Sequence, residues 1–203
     1  MSYAAGKQPR TLTRDEQRRL LELSGKRADD YADHMLFALA LGTGLRVHEL
    51  SALDLGDVFN DAGGARQRVT LRVYKGAARR GAPQEVFVSG ALRGKLARYR
   101  KWLARRGVAT DAGAPVFVVR GGRRMSARRM RERFDRWRTF AALAPWLSFH
   151  SLRHTFCQRL YDTTGGNIRL VQVAARHANI ATTTIYAAPS TDQLLGAIEG
   201  IDV

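Results

Sequence analysis

The stretch TGLRVHEL places an arginine where it could bind a phosphate. A glycine-bearing turn precedes Arg46, which stands at the start of a predicted helix. An arginine there can form two parallel hydrogen bonds to a phosphate, and the N-terminal end of a helix favours anions. The alternative is an ordinary ion pair between Arg46 and Glu49, one helical turn apart on the surface.

The stretch HSLRH combines an acid–base group with a fixed cation. His150 and Arg153 are three residues apart and share a helical face, so both can reach one phosphate. His150 and His154 are four apart, which is also a zinc-ligand spacing, but the glutamate of an HExxH motif is missing. Zinc therefore stays an alternative, and His154 is interpreted as a hydrogen-bonded structural residue.

Two further stretches offer a nucleophile and a proton donor. RHANIATTTIY holds His177 and Tyr186. Because the ordinary pKa of a tyrosine is about 10, Tyr186 needs cations or a base nearby to attack at neutral pH, and a packed aromatic is the alternative. YKGAARRGAP carries Lys75, which can give up a proton as arginine cannot; a contact to the phosphate backbone is its alternative role.

The net charge indicates a polyanionic partner. The 203 residues include 34 Lys and Arg against 18 Asp and Glu, a formal charge of +16. Residues 65–140 alone hold 22 basic and 4 acidic side chains, and both flanking parts are near neutral. Nucleic acid is the commonest partner of such a region, whereas a solubilising surface or an arginine-rich composition is the alternative.

Composition also excludes several classes of protein. No apolar run approaches the ~20 residues of a membrane-spanning helix, and residues 1–10 lack the pattern of a secretory signal. Cys157 is the only cysteine, which excludes a disulfide scaffold and a cysteine-rich zinc module and favours a cytosolic location.

The elements that must position these residues follow from apolar spacing and punctuation. The predicted helices begin near Thr13, cover Ala32–Leu41 with a stop at Gly42 and Gly44, begin again near Arg46, and cover Leu92–Leu103 and Ser126–Phe140. Strands are predicted around Val69–Val73, Val86–Val88 and Val116–Val119, and three or four short helices split by Gly165, Gly166 and Pro189 follow His150. The fold class is therefore mainly α (α+β), a helical domain with a small antiparallel β-sheet on one edge.

In this order the motifs resemble the catalytic domain of the tyrosine recombinases, the phage-integrase family. The resemblance runs from about Leu12 to Pro189, and the hairpin also fits the family pattern KGxKxRxxP. It implies one active site, without metal or cofactor, with Glu49 orienting its neighbours. The implied catalytic residues are Arg46, Lys75, His150, Arg153, His177 and Tyr186.

The resemblance also implies a mechanism and partners. Tyr186 would attack a DNA phosphate to leave a 3′-phosphotyrosine, and His150 and Lys75 would move the protons. The implied partner is double-stranded DNA with specific recombination sites. The protein would bind it as a homo-oligomer, a tetramer, and no membrane partner is implied. The protein would be cytoplasmic and nucleoid-associated when bound to DNA.

The chain departs from the family pattern at a few positions. Arg176 stands where a glycine usually precedes the last histidine, Ala78 replaces a second hairpin lysine, and Tyr74 replaces a frequent glycine. We expect residues 1–11 to be an N-terminal extension, 12–189 the catalytic domain, and 190–203 a tail helix that is exchanged between protomers or folds back. The chain is then either an excised catalytic domain or a short single-domain recombinase.

Three other functions remain as alternatives. A type IB topoisomerase has a closely similar site but relaxes DNA without strand exchange. A non-catalytic DNA-binding regulator would keep the basic surface alone, and a metal-dependent nuclease would be stopped by EDTA.

Overall fold

The computed structural model describes residues 9–74, 82–177 and 181–186. Lys75, the rest of the hairpin tip, Pro189 and the predicted tail helix therefore lie outside the described residues, as does most of the N-terminal extension. The chain divides into a larger unit, residues 10–156, and a smaller unit formed by residues 1–9 and 157–203. None of the helices in the described part is both long and apolar enough to cross a bilayer.

The larger unit is mostly helical. Its elements are α1 (Arg14–Gly25), a 3-10 turn (Ala28–Asp30), α2 (Tyr31–Thr43), α3 (Val47–Ala52), α4 (Leu55–Val58), β1 (Arg68–Leu71), β2 (Gln84–Phe87), α5 (Gly90–Arg105) and α6 (Ala127–Phe140). Helix α7 (Phe149–Thr163) contains the boundary between the units, and α8 (Ile168–Ala175) and α9 (Ala181–Thr184) belong to the smaller unit. This architecture confirms the predicted mainly helical fold with a small antiparallel sheet.

The predicted start of the first helix is confirmed by its cap. Thr13 accepts a hydrogen bond from the backbone of Glu16 through its hydroxyl (3.2 Å), and Glu16 accepts one from the backbone of Thr13 (2.9 Å). This reciprocal capping box satisfies two backbone donors that the first helical turn leaves open. One face of α1 then buries Leu20 against α2.

Helix α2 ends later than predicted. It continues through Gly42 to Thr43, and only Gly44 ends it, with a left-handed backbone (φ +64°) whose N–H donates to the carbonyl of Ala40 (3.0 Å). Glycine adopts this conformation without steric cost. The nearly all-apolar helix is buried over most of its length, so packing around it outweighs the low helix propensity of Gly42.

The two predicted strands of the hairpin are confirmed in shortened form. β1 and β2 pair antiparallel with Val69 opposite Val86, and both side chains are buried. The third strand, predicted at Val116–Val119, is wrong, since within the described residues the sheet has two strands. Val116 and Phe117 are both buried, because this segment runs through the core and joins its neighbours through isolated backbone bridges.

Helix α6 is held in the larger unit by an apolar stripe and a buried carboxylate. Met130, Phe134 and Trp137 are buried at helical spacing on one face. Asp33 of α2, which is fully buried, accepts hydrogen bonds from Arg133 (2.6 Å), from Arg136 (3.1 Å) and from the indole N–H of Trp137 (2.9 Å). Arg133 and Arg136 of this basic helix therefore stabilise its packing against α2.

In the smaller unit, Arg176 forms a turn with a left-handed backbone at the position where the family pattern has glycine. Helix α8 ends with Arg176 in the left-handed region (φ +56°), and its N–H donates to the carbonyl of Val173 (3.0 Å). A residue with a Cβ pays about 1 kcal/mol or more for this conformation. The arginine therefore forms the helix-to-loop turn that leads to His177 at a cost in strain.

Candidate active site

Arg46 is fixed by a buried glutamate. Its backbone N–H donates to Oε2 of Glu49 (2.7 Å), and its guanidinium donates to Oε1 (3.3 Å). The side chain of Glu49 is fully buried, whereas that of Arg46 is 21% exposed. The pair is therefore anchored in the protein on its glutamate side, and Glu49 restricts the orientation of an arginine that still reaches solvent.

Arg153 is fixed by the turn that follows α2. Its guanidinium donates to the backbone carbonyl of Gly44, and the residue is 3% exposed. A Cβ on Gly44 would stand 2.3 Å from the ring of Phe156, one turn further along α7. The turn before α3 thus requires glycine at position 44 for two reasons, the left-handed backbone angle and the close approach of α7.

These residues meet at one cavity of the larger unit. The cavity has a volume of about 270 Å³ and is lined by residues at the start of α3, on α6 and at the start of α7. Its basic lining consists of Arg46, Arg131, His150 and Arg153, and Ser148 adds a hydroxyl. The structure therefore brings three of the six predicted site residues together, and it adds Arg131.

Arg131 could not be selected from the sequence. It is one of six arginines in α6, and composition treats them alike. The only local signal is its place directly after Met130, which sets it at the edge of the buried stripe. Which edge faces the cavity depends on how α6 packs against α3, which is a tertiary property.

Burial, together with the positive charge around the cavity, keeps both histidines of HSLRH neutral at pH 7. Desolvation, together with the positive charges of Arg153 and Arg46, lowers the pKa of His150 below its ordinary 6.5. Burial, together with His150 and Arg153, lowers the pKa of His154 to about 4. The two rings stand edge to face with centroids 4.6 Å apart. At neutral pH His150 is therefore available as a proton acceptor.

Protonation of His154 is expected to destabilise the fold in mild acid. Its pKa is about 4 in the folded chain and about 6.5 in the unfolded chain, so the unfolded state binds more protons below pH 6.5. Stability should fall as the pH drops from about 6.5 towards 4, by about 1–2 kcal/mol from this half-buried ring after solvent screening. Urea unfolding of the wild type and of His154→Gln at pH 7.5 and pH 5 measures the difference.

The variant should lose less stability than the wild type between the two pH values, because glutamine does not titrate. Lys101→Gln, on the exposed surface of α5, is the control and should follow the wild type. Equal losses in the wild type and in His154→Gln would mean that His154 is not the group responsible.

His177 and Tyr186 belong to the smaller unit. A hydrogen bond joins Nδ1 of His177 to the hydroxyl of Thr183 (2.9 Å), and the backbone N–H of His177 donates to the carbonyl of Gln172 (3.0 Å). Tyr186 follows the short helix α9 and is 6% exposed. The hydroxyl-rich segment thus orients the histidine ring through Thr183, a contact that its sequence does not specify.

No group of three or more histidine, cysteine, aspartate or glutamate side chains is arranged to hold a metal ion within the described ranges. The polar lining of the cavity, as far as the structure describes the chain, holds three arginines, a histidine and a serine, and no carboxylate. Such a lining suits an anion.

Comparison with known proteins decides the family. A model described as the phage integrase family matches residues 10–193, nearly the whole chain. The chain belongs to the phage integrase family. The resemblance drawn from the motifs is thereby confirmed.

Curated members of the phage integrase family show how much of a protein the chain represents. Tyrosine recombinase XerC of Vibrio cholerae is 33% identical over 179 residues, which cover 88% of this chain and 53% of the relative. Tyrosine recombinase XerC of Haemophilus influenzae is 28% identical over 178 residues, covering 88% and 56%. The chain spans about half the length of the curated relatives it matches.

Solved recombinase and integrase structures show the same fold. XerA recombinase superposes with a TM-score of 0.71 at 22% identity, covering 98% of this chain and 66% of that one. XerH site-specific recombinase bound to its difH substrate gives 0.75 at 22% identity, covering 98% and 55%. A lambda integrase dimer bound to a core site gives 0.64 at 18% identity, covering 90% and 49%.

Proposed function

We propose that this chain is the catalytic part of a site-specific DNA recombinase that cleaves and rejoins DNA through a 3′-phosphotyrosine. The observation that carries the proposal is the cavity in which Arg46, Arg153 and His150 meet. Two arginines held by protein groups, beside a neutral histidine, provide both charge stabilisation and a base for attack on a phosphodiester.

The two arginines bind the non-bridging oxygens of the scissile phosphate. Negative charge on these oxygens grows in the transition state, and donors that are already oriented stabilise it without reorganisation. Glu49 fixes Arg46, and the carbonyl of Gly44 fixes Arg153. Each arginine is therefore expected to contribute about 10²–10³ in rate.

The proton transfers balance the reaction. The hydroxyl oxygen of Tyr186 attacks phosphorus, the bond from phosphorus to the 5′-oxygen breaks, and the 3′-phosphotyrosine forms. His150 takes the tyrosine proton, Lys75 gives a proton to the leaving 5′-oxygen, and His177 donates a hydrogen bond to the phosphate. Rejoining reverses these steps with a new 5′-hydroxyl, so the energy of the phosphoester is conserved.

The proposed partner is double-stranded DNA carrying specific recombination sites, bound by a tetramer in the cytoplasm and at the nucleoid. Support for DNA comes from the net charge of +16 and its concentration in residues 65–140. Further support comes from XerH and lambda integrase, whose structures contain DNA sites. We include the tail 190–203 in the contacts between protomers, on the strength of its apolar Leu194, Leu195 and Ile198.

A covalent-adduct assay tests this function. The substrate is a library of duplexes nicked at a fixed position inside a randomised segment, so that cleavage near the nick releases a short 5′-hydroxyl strand that diffuses away and traps the adduct. We expect an SDS-resistant protein–DNA complex, in equal yield with and without EDTA. Sequencing of the trapped strands identifies the site, and mass spectrometry of the digested adduct should locate the nucleotide on Tyr186.

Three results would contradict the proposal. They are the absence of any adduct with the full chain, an adduct that EDTA prevents, and an adduct linked to a 5′-phosphate or to a residue other than Tyr186. The recovered sites can then be paired on one plasmid, and we expect recombinant products there; relaxation without exchange would identify a topoisomerase.

A further inference from the structure

The six arginines of α6 divide by their partners. Arg128 and Arg129 pair with Glu132, Arg133 and Arg136 with the buried Asp33, and Arg138 with Asp135. Arg131 makes no ion pair or side-chain hydrogen bond with any residue in the ranges that the structure describes. The remaining cation of this helix is therefore the one that lines the cavity.

Helical geometry explains why Arg131 reaches the cavity and its neighbour does not. Successive residues of a helix are about 100° apart, so Arg129 and Arg131 project to opposite sides of the buried Met130. Helix α6 packs against α3, which places Arg131 on the same side as Arg46. The charge of Arg131 also reaches His48 of α3: desolvation lowers the pKa of His48, Glu49 raises it, and nearby arginines that include Arg131 lower it.

Arg131 differs from the two proposed catalytic arginines in how it is held. Glu49 fixes Arg46 and a backbone carbonyl fixes Arg153, whereas Arg131 is exposed and without such an anchor in the described residues. Transition-state stabilisation depends on donors that are oriented before the reaction. A cation on a flexible exposed side chain instead suits the binding of a phosphate whose charge is the same before and after cleavage.

We propose that Arg131 binds the backbone phosphate adjacent to the scissile one. It thereby positions the DNA strand at the cavity that Arg46 and Arg153 also line. This inference rests on the proposed function. Arg131 lines the cavity from α6, whereas Arg46 lines it at the start of α3, so a phosphate next to the one held by Arg46 and Arg153 lies on the side that the long, exposed side chain of Arg131 faces. Arg131 thus contributes to affinity and strand register, and the fixed arginines contribute to rate.

The first test measures the salt dependence of binding to a duplex of about 30 bp, which involves no cleavage. Each phosphate contact contributes about 0.9 to the slope of log K against log salt. We expect Arg131→Ala to lower the slope by about 1 and the affinity by about 10-fold, and Arg131→Lys to retain most of both. Arg129→Ala is the matched control, since Arg129 pairs with Glu132 and projects to the other side of α6, away from the cavity.

The second test uses the nicked duplex recovered from the adduct assay, with a neutral methylphosphonate at the phosphate on either side of the scissile one. The wild type should lose about 10-fold in affinity on one of the two duplexes, and Arg131→Ala should show no further loss there. Arg131→Ala should lose more in affinity than in the rate of adduct formation at saturating DNA.

Two results would overturn the proposal. One is a salt slope of Arg131→Ala equal to that of Arg129→Ala, together with wild-type sensitivity to both methylphosphonates. The other is a 100-fold slower adduct formation at saturating DNA with unchanged affinity, which would make Arg131 catalytic. Failure of the wild type to form an adduct bears on the proposed function instead, because the slope measures binding alone.

Discussion

Tyr186→Phe is expected to abolish the covalent adduct while leaving DNA binding intact. The substitution removes the hydroxyl oxygen that would bond to phosphorus and keeps the ring that fills the buried position. Without the nucleophile the rate of adduct formation should fall by at least about 10³-fold. Denaturing gels of reactions with the recovered nicked duplex measure the adduct, and a filter-binding titration measures affinity.

Tyr161→Phe is the matched control for this experiment. Tyr161 lies on α7 in the same smaller unit and loses the same single atom, but it is absent from the motifs that define the site. Its adduct yield should equal that of the wild type. If Tyr186→Phe still forms the adduct, Tyr186 is not the nucleophile.

Asp33→Ala is expected to destabilise the larger unit by about 3–5 kcal/mol. Asp33 is fully buried and accepts hydrogen bonds from two arginines and from the indole of Trp137. Removing one partner of a buried ion pair leaves the remaining groups without compensation, which costs far more than the loss of an exposed pair. Urea unfolding followed by circular dichroism should show a midpoint lower by more than about 1 M.

A control pair and a double-mutant cycle separate this effect from a general loss of charge. Asp15→Ala removes an exposed carboxylate that pairs with Arg18, and it should cost less than about 1 kcal/mol. Asp33→Ala combined with Arg133→Ala should be less destabilising than the sum of the single changes by about 1–3 kcal/mol. Additive losses, or equal losses at Asp15 and Asp33, would show that the buried cluster does not hold α6.

Short-range patterns predicted the helices well because their signals are local. The capping box at Thr13 and the apolar spacing of α5 and α6 involve residues within one or two turns. The errors arose where packing outweighed such patterns. Helix α2 continues through Gly42 because its neighbours bury it, and the segment at Val116 is apolar because it lies in the core rather than in a sheet.

The order of the motifs could likewise be read from the chain, and it sufficed to recognise the family. The groups that each motif residue contacts could not be read from the chain. The carbonyl that holds Arg153 comes from Gly44, 109 positions earlier, and the hydroxyl that contacts His177 comes from Thr183 of the short helix α9. These contacts depend on the angles at which helices pack, which no local spacing encodes.

The basic residues show the same difference between what the sequence determines and what the tertiary structure decides. The sequence alone determined that residues 65–140 carry the excess of cations, and that five of the six catalytic candidates lie outside that segment. It could not separate arginines that neutralise buried or surface carboxylates from one that lines a cavity. Only the tertiary structure decided that Arg133 pairs with Asp33 while Arg131 joins Arg46 and Arg153, because the packing of α6 between α2 and α3 determines which partner each side of the helix meets.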